Sequence, residues 1–264
     1  MCQPFFVQRW RLGTDRYRPP DEPICTAEYD VVELPDDTVP KAFVLDHHYS
    51  GSYPAARWRF GLFHRGVLQG VAVFSHPCNN RVLTSVFPGR PTDSVELGRF
   101  VLLDEVPGNG ETWMLGRCFS LLRHEGLAGV VAFSDPGLRF NRRGEPVFGG
   151  HVGTIYQAHN GMYLGRGTAR TLTVLPDGSI LSDRAQQKIR AADRGVRYAA
   201  ARLVHFGADP PSAFERACLT AWLQYWTGRL CQRVRHRGNH KYAWSLNHQV
   251  RLPRSLPYPK QIDT

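Results

Sequence analysis

Two hydrophobic periods alternate along the first half of the chain. Tyr29-Asp-Val-Val-Glu-Leu34 reads as a strand, and Val39 to Tyr49 has helical spacing until Ser50-Gly51-Ser52 stops it. Arg57 to His64 and Val67 to Ser75, split by Arg65-Gly66, predict a hairpin. Val95 to Leu103 reads as the next strand, Pro107-Gly108-Asn109-Gly110 as a turn, and Glu111 to His124 as a helix closed by Glu125-Gly126. The apolar run Gly129-Val-Val-Ala-Phe133 is a buried strand bounded by Pro136. Strand, turn, helix and strand in that order predict a right-handed parallel crossover.

The pattern changes in the second half. Tyr163 to Leu175 reads as one strand ending at Pro176-Asp177-Gly178, and Ser182 to Phe206 as one long basic helix capped by Ser182-Asp183. Pro210-Pro211 interrupts, and Ser212 opens a second helix to about Arg235. Gly238 to Trp244 is a short extended segment, and the prolines of Leu252 to Lys260 exclude helix or central strand. Residues 1–30, rich in Pro and Arg with weak periodicity, read as irregular. The expected organisation is therefore an irregular segment 1–30, an α/β core 31–175 and a basic, mainly helical extension 176–264.

Composition narrows this picture. At 264 residues and 42% hydrophobic content, the chain can bury an ordinary core. No apolar run approaches the roughly 18 residues of a membrane helix, and the first residues carry no secretory pattern, which points to a cytoplasmic protein and no membrane partner. Six scattered cysteines without a Cys-x-x-Cys pair argue for reduced thiols and against a zinc ribbon.

Charge adds a partner. Residues 1–164 hold 16 Lys+Arg against 17 Asp+Glu, whereas residues 165–264 hold 17 against 6. The basic part is dominated by arginine, whose fork suits phosphate, and is interleaved with aromatic residues. Beside the plainer reading of a soluble basic surface, a nucleic acid is the expected polyanion, with Arg166, Arg170, Arg190, Arg194, Arg197, Lys241 and Tyr242 as candidate contacts.

Candidate chemistry gathers at two short stretches, Phe133-Ser134-Asp135-Pro136 and Gly150-His151-Val-Gly-Thr-Ile-Tyr156-Gln-Ala158. A carboxylate at the end of a buried strand, a backbone carbonyl before proline and a tyrosine are suited to gripping an exocyclic amine. An amine whose lone pair is delocalised into a ring becomes nucleophilic only when both hydrogens are accepted by the enzyme. Asp135 is the candidate for that task, with Tyr49 and Tyr156 as stacking or proton-relay groups. Arg99 lies in an apolar strand, where an unpaired charge is costly. It pairs with Glu96 or Asp135, or it holds a cofactor or substrate anion. His48, at the end of the first helix beside His47 and Tyr49, is a candidate metal ligand together with Asp135, and His, Tyr and carboxylate suit iron.

Two resemblances join these residues. The order hairpin, strand, Gly turn, helix, strand over residues 31–174 resembles the core of GCN5-related N-acetyltransferases, which implies an α/β fold: an acetyltransferase-like mixed sheet flanked by helices, here with a basic helical C-terminal extension. More closely, the chain resembles the Mom family of phage DNA-modification proteins. The blocks carrying that likeness are His48-Tyr49-Ser50-Gly51, Glu96-Leu97-Gly98-Arg99, Ser134-Asp135-Pro136, the Gly150–Ala158 stretch, Gly238-Asn239-His240-Lys241-Tyr242 and Leu256-Pro-Tyr-Pro-Lys260. The resemblance implies conversion of adenine in double-stranded DNA, with the base flipped, to an N6-carbamoylmethyl or similar form that shields phage DNA from restriction. It also implies an active centre at Arg99.

An acetyltransferase-like fold implies acetyl-CoA or another acyl donor, its pyrophosphate bound at the turn before the helix. Here that turn carries Asp104, Glu105 and Glu111, which would repel a pyrophosphate. Gly110, Arg117 and Ser120 are the nearest candidates to hold a donor, whose identity stays open. Two other functions remain on sequence grounds: an acyltransferase acting on a small-molecule or protein amine, and a non-catalytic DNA-binding protein. A homodimer is a further open expectation.

Overall fold

The computed structural model describes residues 7–11, 14–19 and 21–263. Its strands are β1 (Val7–Arg11), β2 (Thr14–Arg18), β3 (Tyr29–Glu33), β4 (Ala56–His64), β5 (Val67–Ser75), β6 (Ser94–Leu102), β7 (Gly129–Ser134), β8 (Arg139–Phe140), β9 (Pro146–Phe148), β10 (Met162–Arg166), β11 (Arg170–Val174), β12 (Gln232–His236) and β13 (His240–Ser245). Its helices are α1 (Thr38–His47), α2 (Arg81–Val86), α3 (Gly110–His124), α4 (Thr154–Ala158), α5 (Asp183–Ala191), α6 (Val196–His205) and α7 (Arg216–Leu230). They form two compact units interleaved in sequence: residues 1–136, 150–167 and 239–263 make one, and residues 137–149 and 168–238 make the other.

The first unit is an α/β layer structure on a seven-stranded mixed sheet, ordered β10-β13-β7-β6-β5-β4-β3. The β4–β5 hairpin turns through Arg65 and Gly66, both at positive φ, the geometry a two-residue hairpin requires. Every pairing in the sheet is antiparallel except β6 with β7, which run parallel from Ser94↔Gly129 to Leu97↔Ala132. α3 makes the crossover between them, as the pattern predicted. Past Leu97 the two strands part: β6 continues against β5, while Phe133 and Ser134 of β7 pair only with Lys241 and His240 of β13.

Met114, Leu115, Cys118, Phe119 and Leu122 of α3 are buried in one core with Phe60, Leu62, Phe74, Val95, Leu97, Val130 and Ala132. Val44 of α1 packs with Val71, Val73 and Val101, and Leu83 and Val86 of α2, with Phe87 just after it, pack with Val131 and Ala243. Burial of these side chains is worth roughly 1.5–3 kcal/mol each. Gly129 is required for the α2 packing, since a Cβ there would lie 2.1 Å from the Phe87 ring.

The second unit packs α5, α6 and α7 around Leu175, Leu181, Ile189, Ala199, Leu203, Leu219 and Leu223, with the pairs β11–β12 and β8–β9. Four expectations change here and at the N-terminus. Residues 1–30 are not wholly irregular, because β1 and β2 form an antiparallel pair. The strand expected over Tyr163 to Leu175 is two strands, broken at Gly167-Thr168-Ala169 and divided between the units. The helix expected over Ser182 to Phe206 is α5 and α6, separated where Ala192 and Gly195 take positive φ; Ser182 does cap α5, accepting from the Ala185 N–H. The last helix ends at Leu230 rather than near Arg235, because residues 232–236 pair with β11. Segment 239–263 lies in the first unit, with β13 inside its sheet.

Candidate active site

The site grows from an irregularity in β6. Val73 faces Arg99 and Phe74 faces Leu97, so Gly98 is an extra residue, a bulge that re-aims its neighbours. A Cβ at Gly98 would lie 2.5 Å from Ser75 Oγ and 3.1 Å from Pro54, so only glycine fits. The bulge delivers Arg99 to the loop after α1. Its Nε donates to the Ser52 carbonyl and Nη2 to Ser52 Oγ, both at 2.7 Å, and Nη1 donates to the Gly98 carbonyl. Burial lowers the Arg99 pKa, and Tyr49, Glu96, Cys78 and Tyr156 lie within its electrostatic reach.

Glu96 precedes the bulge in the same strand. Burial pushes its carboxyl up to about 7, against the pull of Arg99. Its side chain makes no hydrogen bond among the described residues. A carboxyl that exchanges its proton near neutrality is suited to general acid–base work. Sequence reasoning named Glu96 as a partner for Arg99 and as part of a family block, not as a proton acceptor. The signal that could have singled it out was an acid beside a charged residue in an otherwise apolar strand.

At the end of α1, the Ser50 N–H donates to His48 Nδ1 at 3.1 Å, which leaves the ring proton on Nε2. Burial holds the His48 pKa well below the usual histidine value, and the nearby Arg99 and His151 act in the same direction. The His48 ring stacks on Tyr49 at 4.3 Å, and the Tyr49 hydroxyl reaches His151 Nε2 at 3.4 Å.

Asp135 directly follows β7. It is 8% exposed, and its backbone carbonyl accepts the His151 N–H at 2.8 Å. That bond fastens the 150s loop to the end of β7. Gly153 then starts α4 at φ +81°, where an added Cβ would lie 2.8 Å from Tyr242 and 2.9 Å from Tyr156. Tyr156 is buried between the rings of Tyr242 (5.5 Å) and Trp244 (5.7 Å), and burial raises its hydroxyl pKa, with Tyr49 and Glu96 adding to the effect. The Tyr242 hydroxyl donates to the Val152 carbonyl, and Gln157 Nε2 donates to Tyr242 Oη (3.0 Å) and the Pro259 carbonyl (3.1 Å). Glu96, Arg99, His48, Tyr49, His151 and Tyr156 thus form one electrostatically connected group at the place where β6 and β7 part.

The sequence profile of the Mom protein family matches residues 29–208, which span all of these positions. The chain belongs to the Mom family. No curated protein matches it by sequence. Among solved structures, it is similar to a tandem GNAT protein from the clavulanic acid biosynthesis pathway (9% identity, 83% of this chain and 99% of that chain, TM-score 0.43). Others are the IAA acetyltransferase from Bacillus cereus ATCC 14579 (10%, 82% and 99%, 0.36) and the ribosomal-protein-S18-alanine N-acetyltransferase from Escherichia coli (13%, 58% and 88%, 0.34).

In this Mom family member the turn before α3 does not fit coenzyme A. The Gly108 N–H donates to Glu22 Oε2 at 2.9 Å, and the Gly110 N–H to the Pro107 carbonyl at 2.9 Å. A Cβ on Gly108 would sit 1.8 Å from the Pro19 carbonyl oxygen, so the N-terminal segment lies directly against the turn. Glu111 is 3% exposed and bonded to Arg9 Nε at 2.8 Å. A pyrophosphate needs free N–H groups and meets carboxylates instead. Arg117 is exposed and Ser120 half-buried farther along α3. Among the described residues no three His, Cys, Asp or Glu side chains gather where they could hold a metal ion, and the Ser50 N–H occupies His48 Nδ1.

The expected nucleic-acid residues divide. Arg170, Arg190, Arg194 and Arg197 are exposed in the second unit, Arg190 bonded to Gln186 and Arg197 lying 4.1 Å over the Phe214 ring. Arg166 is exposed in the first unit but forked onto Asp263 at 2.6 and 2.8 Å, and Lys241 is half-buried on β13. Tyr242 is fully buried and belongs to the core, because β13 is an interior strand of the sheet. Among the described residues, the exposed aromatic rings of the basic unit are Tyr198 (79% exposed), Tyr225 (55%) and Phe140 (46%).

Proposed function

We propose that this chain is a DNA adenine N6-modifying transferase, with Glu96 as the proton acceptor. The observation that carries the proposal is a carboxyl held near pH 7 beside Arg99, inside the span that matches the Mom family. Adenine N6 attacks an electrophilic carbon of the donor. As the N6–C bond forms, the bond from that carbon to its leaving group breaks with its electron pair. One N6 proton passes to the Glu96 carboxylate. Arg99, fixed by Ser52, offsets negative charge developing on the leaving group, and Tyr49 stacks on the base.

A base inside a duplex is out of reach, so the adenine must be flipped at a cost of a few kcal/mol. Residues 137–149 and 168–238 carry 15 Lys+Arg against 6 Asp+Glu, and phosphate contacts from this basic unit would offset that cost. Modified DNA would resist restriction in the host cytoplasm.

Nucleoside mass spectrometry on plasmid DNA from bacteria producing the chain tests the reading. A new adenine nucleoside is expected with the wild type and absent with Glu96→Gln. Unmodified adenine from a folded, DNA-bound wild type would instead favour a coating role.

A further inference from the structure

Segment 137–149 of the basic unit begins two residues after Asp135 and ends two residues before His151. The His151 N–H fastens its two ends together by bonding the Asp135 carbonyl at 2.8 Å. Between these ends, β8 and β9 form a short hairpin with a rigid tip. Gly144 takes φ +79° and donates its N–H to the Asn141 carbonyl, while Asn141 Oδ1 accepts from the Arg143 and Glu145 N–H groups at 2.9 and 3.0 Å. Residues 176–178 back the hairpin. The Arg142 N–H donates to the Pro176 carbonyl at 2.9 Å, and a Cβ on Gly178 would lie 2.2 Å from Val147 and 3.1 Å from the Phe140 carbonyl oxygen. Arg142 Nη2 adds a bond to the Arg229 carbonyl at 2.8 Å.

On this fixed backbone the two residues of β8 divide as strand alternation requires. Arg139 is buried, with its guanidinium 3.9 Å over the Phe148 ring, and Phe140 is turned out to solvent. A single exposed apolar side chain is ordinary. Phe140 differs because its backbone is braced from behind and its hairpin carries three arginines against one glutamate, whose carboxylate is engaged by the Asn141 amide at 2.5 Å. The two exposed tyrosines of this unit stand on helices and carry a hydroxyl, which Arg229 already bonds in Tyr225. Among the three exposed rings, Phe140 alone is wholly apolar. Apolar side chains of this kind part stacked base pairs, and a surrounding positive charge matches the phosphates on either side.

We propose that Phe140 is a wedge that enters the base stack of duplex DNA, with Arg143, exposed at the hairpin tip, against the flanking phosphate. The inference rests on the reading of the chain as a DNA adenine-modifying enzyme and gives its basic unit a second task. A flipped adenine leaves a gap in the stack, and an apolar ring in that gap keeps the duplex from closing before the base has reacted.

Topoisomerase relaxation of closed-circular plasmid in the presence of the full chain tests it. A side chain inserted between base pairs unwinds the duplex, so the plasmid is left underwound once both proteins are removed. The wild type is expected to lower the linking number in proportion to the protein bound. At equal occupancy Phe140→Ala should lower it roughly tenfold less, while Phe140→Trp, which keeps an aromatic wedge, should stay within about twofold of the wild type. A wild type that fails to bind plasmid or binds without unwinding it would overturn the proposal. So would a Phe140→Ala variant that unwinds as the wild type does, or a Phe140→Trp variant that loses the effect as well. Nucleoside mass spectrometry on DNA from cells producing the same proteins separates this inference from the one beneath it. Unmodified adenine from a wild type that unwinds plasmid removes the transferase and keeps the wedge; full modification by Phe140→Ala removes the wedge and keeps the transferase.

Discussion

At residue 96 the chain places a carboxyl where burial, rather than a partner, sets its proton affinity. Its pKa rises from an unfolded value of 4.5 to about 7. The favourable contribution of the protonated form is complete below pH 4.5 and is lost as pH rises through 7. Glu96→Gln should therefore be more stable than the wild type at pH 8 by about 1–2 kcal/mol, after allowing for partial exposure, and no more stable below pH 4.5. Urea melts at the two pH values check this. The modification rate of the wild type should climb as Glu96 deprotonates, with a midpoint near 7, and a flat profile would remove Glu96 as the base.

Gly153 is the second residue whose chemistry follows from its surroundings. With φ at +81° and Tyr242 and Tyr156 within 3 Å of an added Cβ, Gly153→Ala should cost about 1–3 kcal/mol and displace Tyr156. Thermal denaturation, with tyrosine fluorescence, reads both effects. The glycine was visible in the sequence, but the two rings that demand it were not. Asp135 shows the same limit, since its place at the end of a strand was legible but the engagement of its carbonyl by His151 was not.

At the scale of elements, local signals were read well and long-range pairing was not. The β4–β5 hairpin and the β6–α3–β7 crossover follow from alternation, helical spacing and Gly turns within a few residues. β12 was harder, because residues 232–236 become a strand only through β11, some 60 residues earlier. The tail could be read as neither helix nor strand, yet it is held to the first unit. The Leu256 N–H donates to Tyr163 O, Pro259 O accepts from Gln157, the Asp263 N–H donates to Pro136 O, and Arg166 forks onto Asp263. Removing residues 253–264 should lower the melting temperature by several degrees and weaken modification, since Gln157 and Tyr156 share α4. Unchanged melting would mean the tail is not a structural strap.

At the scale of the molecule, basic charge is concentrated in the second unit. If that unit carries DNA, the logarithm of affinity falls linearly with the logarithm of salt concentration. Replacing Arg190, Arg194 and Arg197 together with Ala should reduce the slope by about 2–3, roughly one for each phosphate that is no longer neutralised. Fluorescence anisotropy with duplex DNA across salt concentrations measures it, and an unchanged slope would move the interface elsewhere. Glu96→Gln should leave that slope intact while abolishing modification, which separates binding from chemistry.

The sequence by itself determined the element types of the α/β core, the crossover, the uneven charge and the family likeness, because each depends on neighbours a few residues apart or on simple counts. The tertiary structure alone decided which carboxyl is poised near neutrality, that Tyr242 is core rather than surface, and that Glu22 and Pro19 close the turn before α3. Proton affinity, burial and access are set by atoms that meet only after residues distant in the chain are packed together. Glu96 and Tyr156 are 60 positions apart, and Glu22 reaches Gly108 across 86.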